Sequence, residues 1–230
     1  MRLFSLILLL FSGWIIHGQK DPFESARQKM VETQIVSRGI TDRATLEAMR
    51  KVPRHLFVPS AFIADAYTDG PMLIGYGQTI SQPFIVAYMT ELSHPERGKT
   101  ALEIGTGSGY QAAVLAEIVD TVYTIEIVPE LALEASARLA RLGYKNIVPK
   151  YGDGYKGWPE HAPFDIILVT AATDHIPQPL IEQLAEGGRL VMPVGNPAGV
   201  QELILLTKRK GKITETRLVP VRFVPLKRLR

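Results

Sequence analysis

The chain has 230 residues, a formal net charge of +3 and a hydrophobic content of 46%. These values are ordinary for one large globular domain and exclude a disordered or fibrous protein. The lack of cysteine excludes a disulfide and a thiol nucleophile, and the five histidines are too far apart in the sequence to predict a metal site. The basic runs at 208–210 and 227–230 are short, as is typical of turns and chain ends, so we expect no nucleic-acid partner.

Residues 1–20 have the layout of a secretory signal. Arg2 precedes the mostly apolar run 3–16, and the sequence becomes polar from His17. A transmembrane helix needs about 20 apolar residues, so this run favours a cleaved signal over a permanent anchor. We therefore predict cleavage near Gly18 and an exported, periplasmic protein. The alternatives are an uncleaved anchor, or a misassigned start codon and a cytoplasmic protein.

Two helices are predicted before the main sheet. Apolar positions recur at helical spacing through 21–39, and Gly39 marks the end of the first helix. Thr41 or Asp42 can cap the second helix, and Pro53 ends it because proline disfavours helical geometry in the residue before it. We expect both helices to pack against the sheet, where they could also cover a site.

The stretch 66–83 is rich in glycine and shows no periodicity. We expect a long loop without regular structure, and such loops are usually functional. Ser81 comes two positions before Pro83, which is typical of a helix start, and the helix is predicted over 83–92. We expect the Ser81 hydroxyl to cap this helix and, next to free amides, to be well placed to bind a carboxylate.

The sequence TALEIGTGSGYQAA at 100–113 predicts a strand, a tight glycine turn and a helix. Gly105, Gly107 and Gly109 would let a ligand approach the backbone closely. Their spacing differs from the dinucleotide fingerprint by one residue, and the phosphate-binding Gly-Lys-Ser/Thr sequence is missing. Glu103 would repel a pyrophosphate, but it suits an ammonium group such as that of S-adenosylmethionine.

A second acid supports the same ligand. Glu126 ends the next predicted strand, about 20 residues past the glycine turn, where doubly wound folds place the carboxylate that binds ribose hydroxyls. The two acids and the glycine turn together predict a nucleotide-type ligand, and S-adenosylmethionine in particular, over a merely tight strand-to-helix turn.

Strands and helices alternate after the glycine turn, which predicts an α/β fold with a doubly wound, mostly parallel sheet. The predicted strands are 100–104, 121–126, 147–151, 164–170, 189–194, 202–208 and 214–224, with helices over 129–142 and 177–185. A turn at Lys210 and Gly211 makes the last two of the seven strands an antiparallel hairpin. We predict one domain over 21–230, with the N-terminal helices and active-site loop in 21–95 and the cofactor-binding sheet in 96–230.

Ligands of such sheets bind outside the carboxyl ends of the strands. We therefore expect Glu103, Glu126, the pair Asp153 and Gly154, and the segment 170–172 to converge on one site.

The segments EIGTGSGYQAA, GQTISQP, YGDGY, GGRLVMPVG and VRFVPL resemble the protein-L-isoaspartate (D-aspartate) O-methyltransferase family, as do MVETQIVSRGI and VPRHLFVPSAF near the N-terminus. The similarity runs from about Arg27 to Leu226 and does not include the leader. It implies the Rossmann-like fold of class I S-adenosylmethionine-dependent methyltransferases. It also implies transfer of a methyl group from S-adenosylmethionine to the free carboxylate of L-isoaspartyl and D-aspartyl residues in damaged proteins, which begins their repair.

Carried over to this chain, the resemblance implies that Ser81 is the catalytic residue and that no metal takes part. The implied cofactor contacts are Gln78, Thr79, Ile80, Glu103, Gly105, Thr106, Gly107, Glu126, Asp153 and Gly154. Asp153 would face the adenine amino group. The partners would be isoaspartyl-containing proteins and peptides, and we expect a monomer without stable membrane association once the leader is removed.

The implied chemistry needs few groups. A carboxylate with a pKa of about 4 is ionised at neutral pH, so positioning it is the main task and no general base is required. Ser81 would then orient the carboxylate as a hydrogen-bond donor. Two alternatives stay open. One is a methyltransferase of nucleic acid or a small molecule. The fourth strand, however, continues as VTAA and lacks the Asn/Asp-Pro-Pro-aromatic motif used for amino-group methylation of nucleic acid. The other is a non-catalytic binding protein, and the intact GQTISQP segment argues against it.

Overall fold

The computed structural model describes residues 21–196 and 198–228. The predicted leader at 1–20 lies outside these ranges. Within them, no helix is both long enough and apolar enough to cross a membrane.

The described ranges contain six α-helices and nine β-strands, joined by short 3-10 turns. The helices are α1 (Glu24–Met30), α2 (Arg43–Lys51), α3 (Pro83–Leu92), α4 (Tyr110–Ala116), α5 (Pro129–Arg141) and α6 (Gln178–Glu182). The strands are β1 (Met72–Gly75), β2 (Gln78–Ile80), β3 (Thr100–Ile104), β4 (Thr121–Glu126), β5 (Ile147–Tyr151), β6 (Phe164–Val169), β7 (Leu184–Gly195), β8 (Gln201–Arg209) and β9 (Lys212–Val221).

Seven of these strands form one sheet in the order β5-β4-β3-β6-β7-β8-β9. The strands from β5 to β7 in this order run parallel, and β8 and β9 are antiparallel to their neighbours. The predicted seven-stranded, doubly wound sheet with an antiparallel terminal hairpin is therefore confirmed. The chain winds outward in both directions from β3 and β6, and this switch point is where such sheets open a crevice for ligands.

Helices cover both faces of the central strands, which is why β3 and β6 are nearly continuous apolar runs. Ala101 and Ile166 face the larger part of the core, which the helices α1 to α5 supply. Leu102 and Ile167 face the smaller part on the opposite side, together with Leu180 of α6. Neighbouring residues of one strand thus enter different cores, as the period of two requires.

The first predicted helix is a succession of helical turns. After α1 come a π-helical turn, Val31–Ile35, and a 3-10 turn, Val36–Arg38, and the segment ends at Gly39 with a φ of 91°. Of the two predicted caps of α2, Asp42 is the one that is used, because its carboxylate accepts from the Thr45 amide at 2.8 Å. The predicted end and start of these helices are correct.

The stretch predicted as an irregular loop contains a β-hairpin. Strands β1 and β2 pair antiparallel, and a two-residue turn at Tyr76 and Gly77 joins them. Both residues have positive φ, 54° and 71°, which is the type I′ geometry that suits hairpins. The prediction was wrong because this turn usually carries Asn-Gly or Asp-Gly, and a tyrosine at its first position gives no such signal.

Three elements late in the chain also differ from the prediction, and one of them is β9, which is Lys212–Val221 and not 214–224. The helix predicted over 177–185 is only the five-residue α6, and β7 begins at Leu184, five positions before the predicted 189. The glycines at 187 and 188 interrupt the apolar pattern where β7 shifts its register against β6. This irregularity explains why the first part of the strand does not look like one in the sequence.

Candidate active site

The glycine turn lies between the end of β3 and the start of α4, at the crevice of the sheet. Gly105 has a φ of 98°, and a Cβ built on it would lie 2.6 Å from Oγ1 of Thr170. That hydroxyl donates to the Gly105 carbonyl at 2.7 Å, so the residue after β6 supports the turn. A side chain at Gly105 would therefore both strain the backbone and displace Thr170.

Glu126, at the end of β4, holds the turn from the other side. Its Oε2 accepts from the Gly107 amide at 2.7 Å, and its Oε1 accepts from the amides of Ile127 and Val128 at 2.9 Å. The residue is 6% exposed and lines the same cavity as the glycine turn. A carboxylate oxygen can accept two hydrogen bonds, so Oε2 retains capacity for a hydroxyl group in the cavity.

Glu103 is completely buried at the bottom of this cavity. Its Oε2 accepts from the Thr124 hydroxyl at 2.5 Å, and Thr124 in turn shares a 2.6 Å hydrogen bond with the hydroxyl of Thr106. Its other oxygen, Oε1, has no partner among the described residues. Burial raises the pKa of Glu103 to about 8, and the nearby charge of Glu126 acts in the same direction. A cationic donor in the cavity would satisfy this oxygen and restore the charge.

The hairpin forms the opposite wall of the cavity. Gln78, Thr79 and Ile80 of β2 line it, and contact between them and a cofactor stays a prediction. Ile74 of β1 reaches the glycine turn, since a Cβ on Gly107 would lie 3.3 Å from its Cδ1. The hairpin thus places a strand directly across from the glycine turn.

The chain after β9 closes the cavity at its rim. Ala172 donates to the Val224 carbonyl, and the Leu226 amide donates back to the Ala172 carbonyl, both at 2.8 Å. Residues 224–227 consequently lie along the cavity. The tertiary contact explains the position of VRFVPL at the site, which no local pattern in that segment predicts.

Ser81 lines this cavity, but the predicted capping role is wrong. Helix α3 begins at Pro83, so its N-cap is Gln82, and no side chain caps it. Ser81 is one position too early to reach the first helical amides. Within the described part of the chain no group hydrogen-bonds its hydroxyl, whereas its carbonyl accepts from Nη2 of Arg54 at 2.8 Å.

A second cavity of about 430 Å³ opens on the outer side of Ser81. Ser81, Thr79 and Thr170 line both cavities, so the two meet at these hydroxyl groups. The remaining lining residues come from α3 and from the loops and strand ends around the opening, and they are Pro71, Gln82, Ile85, Val200, Pro220, Val221, Arg222 and Phe223. The surface is mostly apolar and bears one positive charge, on Arg222.

Two of the predicted cofactor residues follow β5. Gly154 lines the inner cavity, and a Cβ on it would lie 2.2 Å from Cγ2 of Ile104, so only glycine fits there. The carboxylate of Asp153 does not line the cavity and instead accepts from the Tyr155 amide at 3.0 Å. Contact between Asp153 and an adenine amino group therefore stays a prediction.

Sequence reasoning missed three contributors to the site. Tyr110 and Gln111, at the start of α4, line the inner cavity, although in the sequence they simply continue a helical pattern. Arg54 is completely buried behind Ser81. An arginine between Pro53 and His55 gave no signal of its own, because its partner at Ser81 is 27 positions away.

The parallel sheet, the glycine turn and the two acids at adjacent strand ends define a class I S-adenosylmethionine-dependent methyltransferase. A family model described as protein-L-isoaspartate(D-aspartate) O-methyltransferase matches residues 25–230. The chain belongs to this family, as its resemblance predicts.

Curated relatives and solved structures agree with this assignment. The chain is 56% identical to a protein-L-isoaspartate O-methyltransferase of Opitutus terrae over 99% of this chain and 97% of the relative. It is 57% identical to one of Picosynechococcus, over 90% and 92%. A candidate member from Plasmodium falciparum, solved in complex with S-adenosyl-L-homocysteine, superimposes with a TM-score of 0.74 at 28% identity, over 87% of this chain and 98% of that one. Another solved protein-L-isoaspartate O-methyltransferase gives a TM-score of 0.80 at 29% identity, over 86% of this chain and 65% of that chain.

Proposed function

We propose that this enzyme transfers the methyl group of S-adenosylmethionine to the free carboxylate of L-isoaspartyl and D-aspartyl residues in damaged proteins, and so initiates their repair. Family membership over nearly the whole chain supports the activity. The observation that carries the site assignment is the Ser81 hydroxyl, which is free of protein partners in the described residues and lies where the two cavities meet.

The inner cavity suits the cofactor. The unpartnered Oε1 of Glu103 fits the ammonium group, and Glu126 fits the ribose hydroxyls. The backbone of the glycine turn and the side chains of β2 would line the remainder, with Gly154 leaving room for the adenine. When bound, S-adenosylmethionine supplies a methyl group activated by the positive sulfonium.

The outer cavity suits the peptide. Its apolar wall can accept main chain and side chains on either side of the damaged residue, and the carboxylate would point inward past Thr79 and Ser81. The Ser81 hydroxyl would donate to one carboxylate oxygen, which leaves the other oxygen free for the methyl group.

The reaction needs orientation more than acid or base. The substrate carboxylate is ionised at neutral pH, so the chain needs no base, and transfer would form its oxygen–methyl bond as the carbon–sulfur bond of the cofactor breaks to leave a neutral thioether. No proton moves in this step. The residues of this chain would contribute by holding the two reactants in line and by excluding water.

An assay with matched peptides tests the activity. The enzyme and S-adenosylmethionine are incubated with an isoaspartyl peptide or with its aspartyl twin, and mass spectrometry detects the methyl ester. We expect methylation of the isoaspartyl peptide alone. Equal methylation of the twins, or methylation of nucleic acid in a parallel reaction, would favour the alternative substrate classes.

We further propose that the protein is exported. The charged and apolar layout of 1–20 supports a cleaved signal, and a single catalytic domain over 21–230 would follow it. Cell fractionation and intact-mass measurement test this proposal, with a periplasmic chain starting near Gln19 as the expected result. A full-length cytoplasmic chain would contradict it. We also propose that the enzyme acts as a monomer and binds no nucleic acid, which light scattering and a gel-shift assay check.

A further inference from the structure

Arg54 is one of the largest completely buried side chains of the protein. Its Nε donates to the Ala66 carbonyl at 2.8 Å, and its Nη2 donates to the Ser81 carbonyl at 2.8 Å. Its guanidinium carbon lies 4.9 Å from the centre of the Tyr110 ring. The side chain therefore links three segments that are far apart in the sequence, and two of them line the inner cavity.

The charge of Arg54 is not neutralised by the protein. No carboxylate lies within salt-bridge distance of it in the ranges that the structure describes, and Nη1 has no hydrogen-bond partner there. Burial lowers the pKa of Arg54, but an arginine stays protonated in proteins. The fold thus keeps in its interior a cation that has carbonyl groups and an aromatic ring beside it but no anion, and burial of such a charge is costly.

The hydrogen bonds alone do not require this charge. Both acceptors are neutral carbonyl groups, and a neutral amide side chain could donate to such groups without the desolvation of a cation. The charge interacts with the face of the Tyr110 ring, and it is also available to an anion outside the described protein groups. An anion near Arg54 would lie at the junction of the two cavities. Ser81 lines that junction, and its carbonyl contacts the guanidinium, so only this residue stands between the charge and the anion.

We propose that Arg54 is a positioning residue for the methyl transfer: it holds the Ser81 backbone and supplies the positive charge that favours an ionised carboxylate at the Ser81 hydroxyl. The inference rests on the proposed role of Ser81. Arg54 does not contact the substrate and acts through the intervening residue. Its field would select the carboxylate of an isoaspartyl residue over a neutral amide of the same shape.

Peptide pairs and three variants test this proposal. An isoaspartyl peptide is compared with its isoasparaginyl counterpart, which replaces the carboxylate by a neutral amide. Affinity for both is measured by calorimetry on the full chain in the presence of S-adenosyl-L-homocysteine. Arg54→Gln removes the charge and keeps a hydrogen-bond donor. Arg54→Lys keeps the charge but loses the planar guanidinium that donates to two carbonyl groups at once. Arg27→Met is the control, since Arg27 is also buried but pairs with Asp21 and lies outside both cavities.

We expect Arg54→Gln to reduce the preference for the carboxylate peptide over the amide peptide by about tenfold, which is the effect of one charge acting across roughly 12 Å at an effective dielectric constant of about 20. Arg54→Lys should retain the preference, and Arg27→Met should lower only stability. A role confined to holding the backbone would weaken both peptides equally in Arg54→Gln. That equal loss, or the same loss of preference in Arg27→Met, would overturn the proposal.

A measurement on the unmodified protein covers the case in which Arg54→Gln does not fold. The side-chain NMR signals of Arg54 should shift when the isoaspartyl peptide is added, and much less with the isoasparaginyl peptide. Equal responses to the two peptides would contradict the inference. If the unmodified enzyme does not distinguish the isoaspartyl peptide from its aspartyl twin, the proposed function fails; if it does and the Arg54 signals do not respond, only the role of Arg54 fails.

Discussion

At the residue scale, the two polar oxygens of Ser81 have different environments. Its carbonyl is fixed by Arg54, and its hydroxyl faces the cavities without a protein partner in the described chain. Because the helix that follows is capped neither by Ser81 nor by any other side chain, the hydroxyl contributes little to stability. Because the capping role is absent, a mutation of the hydroxyl tests the proposed substrate contact alone.

Ser81→Ala should leave the melting temperature nearly unchanged and slow methylation of an isoaspartyl peptide. A hydrogen bond to a charged group contributes about 1.5 to 3 kcal/mol, so turnover should fall roughly 10- to 150-fold. Cofactor affinity, measured by calorimetry, should hardly change, and Ser81→Thr should restore part of the rate because it restores the hydroxyl. Near wild-type turnover in the alanine variant would remove Ser81 from the mechanism.

Glu103 should couple cofactor binding to a proton. In the free protein its pKa is about 8, so the carboxyl is mostly protonated at pH 7. An ammonium group beside Oε1 favours the ionised form, so binding at pH 7 releases a proton and affinity rises as pH increases towards 8. Calorimetry in buffers of different ionisation enthalpy counts the protons.

Glu103→Gln is the control for this coupling. The amide keeps the size of the side chain and can still accept from Thr124, but it does not titrate. On binding the cofactor at pH 7, Glu103→Gln should release fewer protons than the wild type. The cofactor binds to both proteins, so the difference between the two proton counts reports on Glu103. Equal proton counts would show that Glu103 does not change its charge on binding.

At the scale of elements, the β1–β2 hairpin is a two-stranded sheet of its own, separate from the seven-stranded sheet. A two-stranded hairpin is only marginally stable alone. This one depends on its turn and on contacts with the rest of the chain, such as the hydrogen bond that the Tyr76 hydroxyl donates to Oε1 of Glu134 at 3.2 Å. Its second strand nevertheless supplies Gln78, Thr79 and Ile80 to the cavity. The geometry of the turn should therefore affect cofactor affinity.

Gly77→Ala tests this dependence with a control in the same chain. Gly77 and Gly211 are both second in a two-residue hairpin turn, have φ of 71° and 70°, and have open space where a Cβ would lie. Alanine at either position should cost about 1 kcal/mol by strain alone. Only Gly77→Ala should weaken cofactor binding, because Gly211 lies in the terminal hairpin and outside the cavities. Equal cofactor affinities of the two variants would separate the hairpin from the cofactor site.

The same comparison explains what the sequence could predict. Glu103 and Glu126 were placed correctly at the cavity because a strand end and a glycine turn are local patterns, and the fold brings adjacent strand ends together. The β1–β2 hairpin was missed because Tyr76 adopts positive φ without the usual turn residue. Arg54 was missed for a different reason: its role arises from tertiary contacts that no local period encodes.

At the scale of the whole molecule, the site is built at the expense of stability. The fold buries the charge of Arg54 and the carboxyl of Glu103 beneath the crevice, and the described residues leave one polar atom of each unpartnered. Buried polar groups of this kind are normally satisfied, so both mark positions where binding would supply the missing partner. Ligands should accordingly stabilise the enzyme more than their contact area alone suggests.

The cost at Glu103 should appear in the pH dependence of folding. The pKa of this acid is about 8 in the folded chain, against its ordinary value of 4.5. Below pH 4.5 both states hold the proton and the group has no effect. Between these values the unfolded chain loses the proton first, so the free energy of unfolding falls as pH rises, by about 1.4 kcal/mol per unit at most, and the full penalty is present above pH 8. Urea unfolding of the ligand-free enzyme and of Glu103→Gln at pH 5 and pH 8 isolates this contribution. The variant should gain stability relative to the wild type at pH 8, and a constant difference between the two proteins across this range would refute the raised pKa.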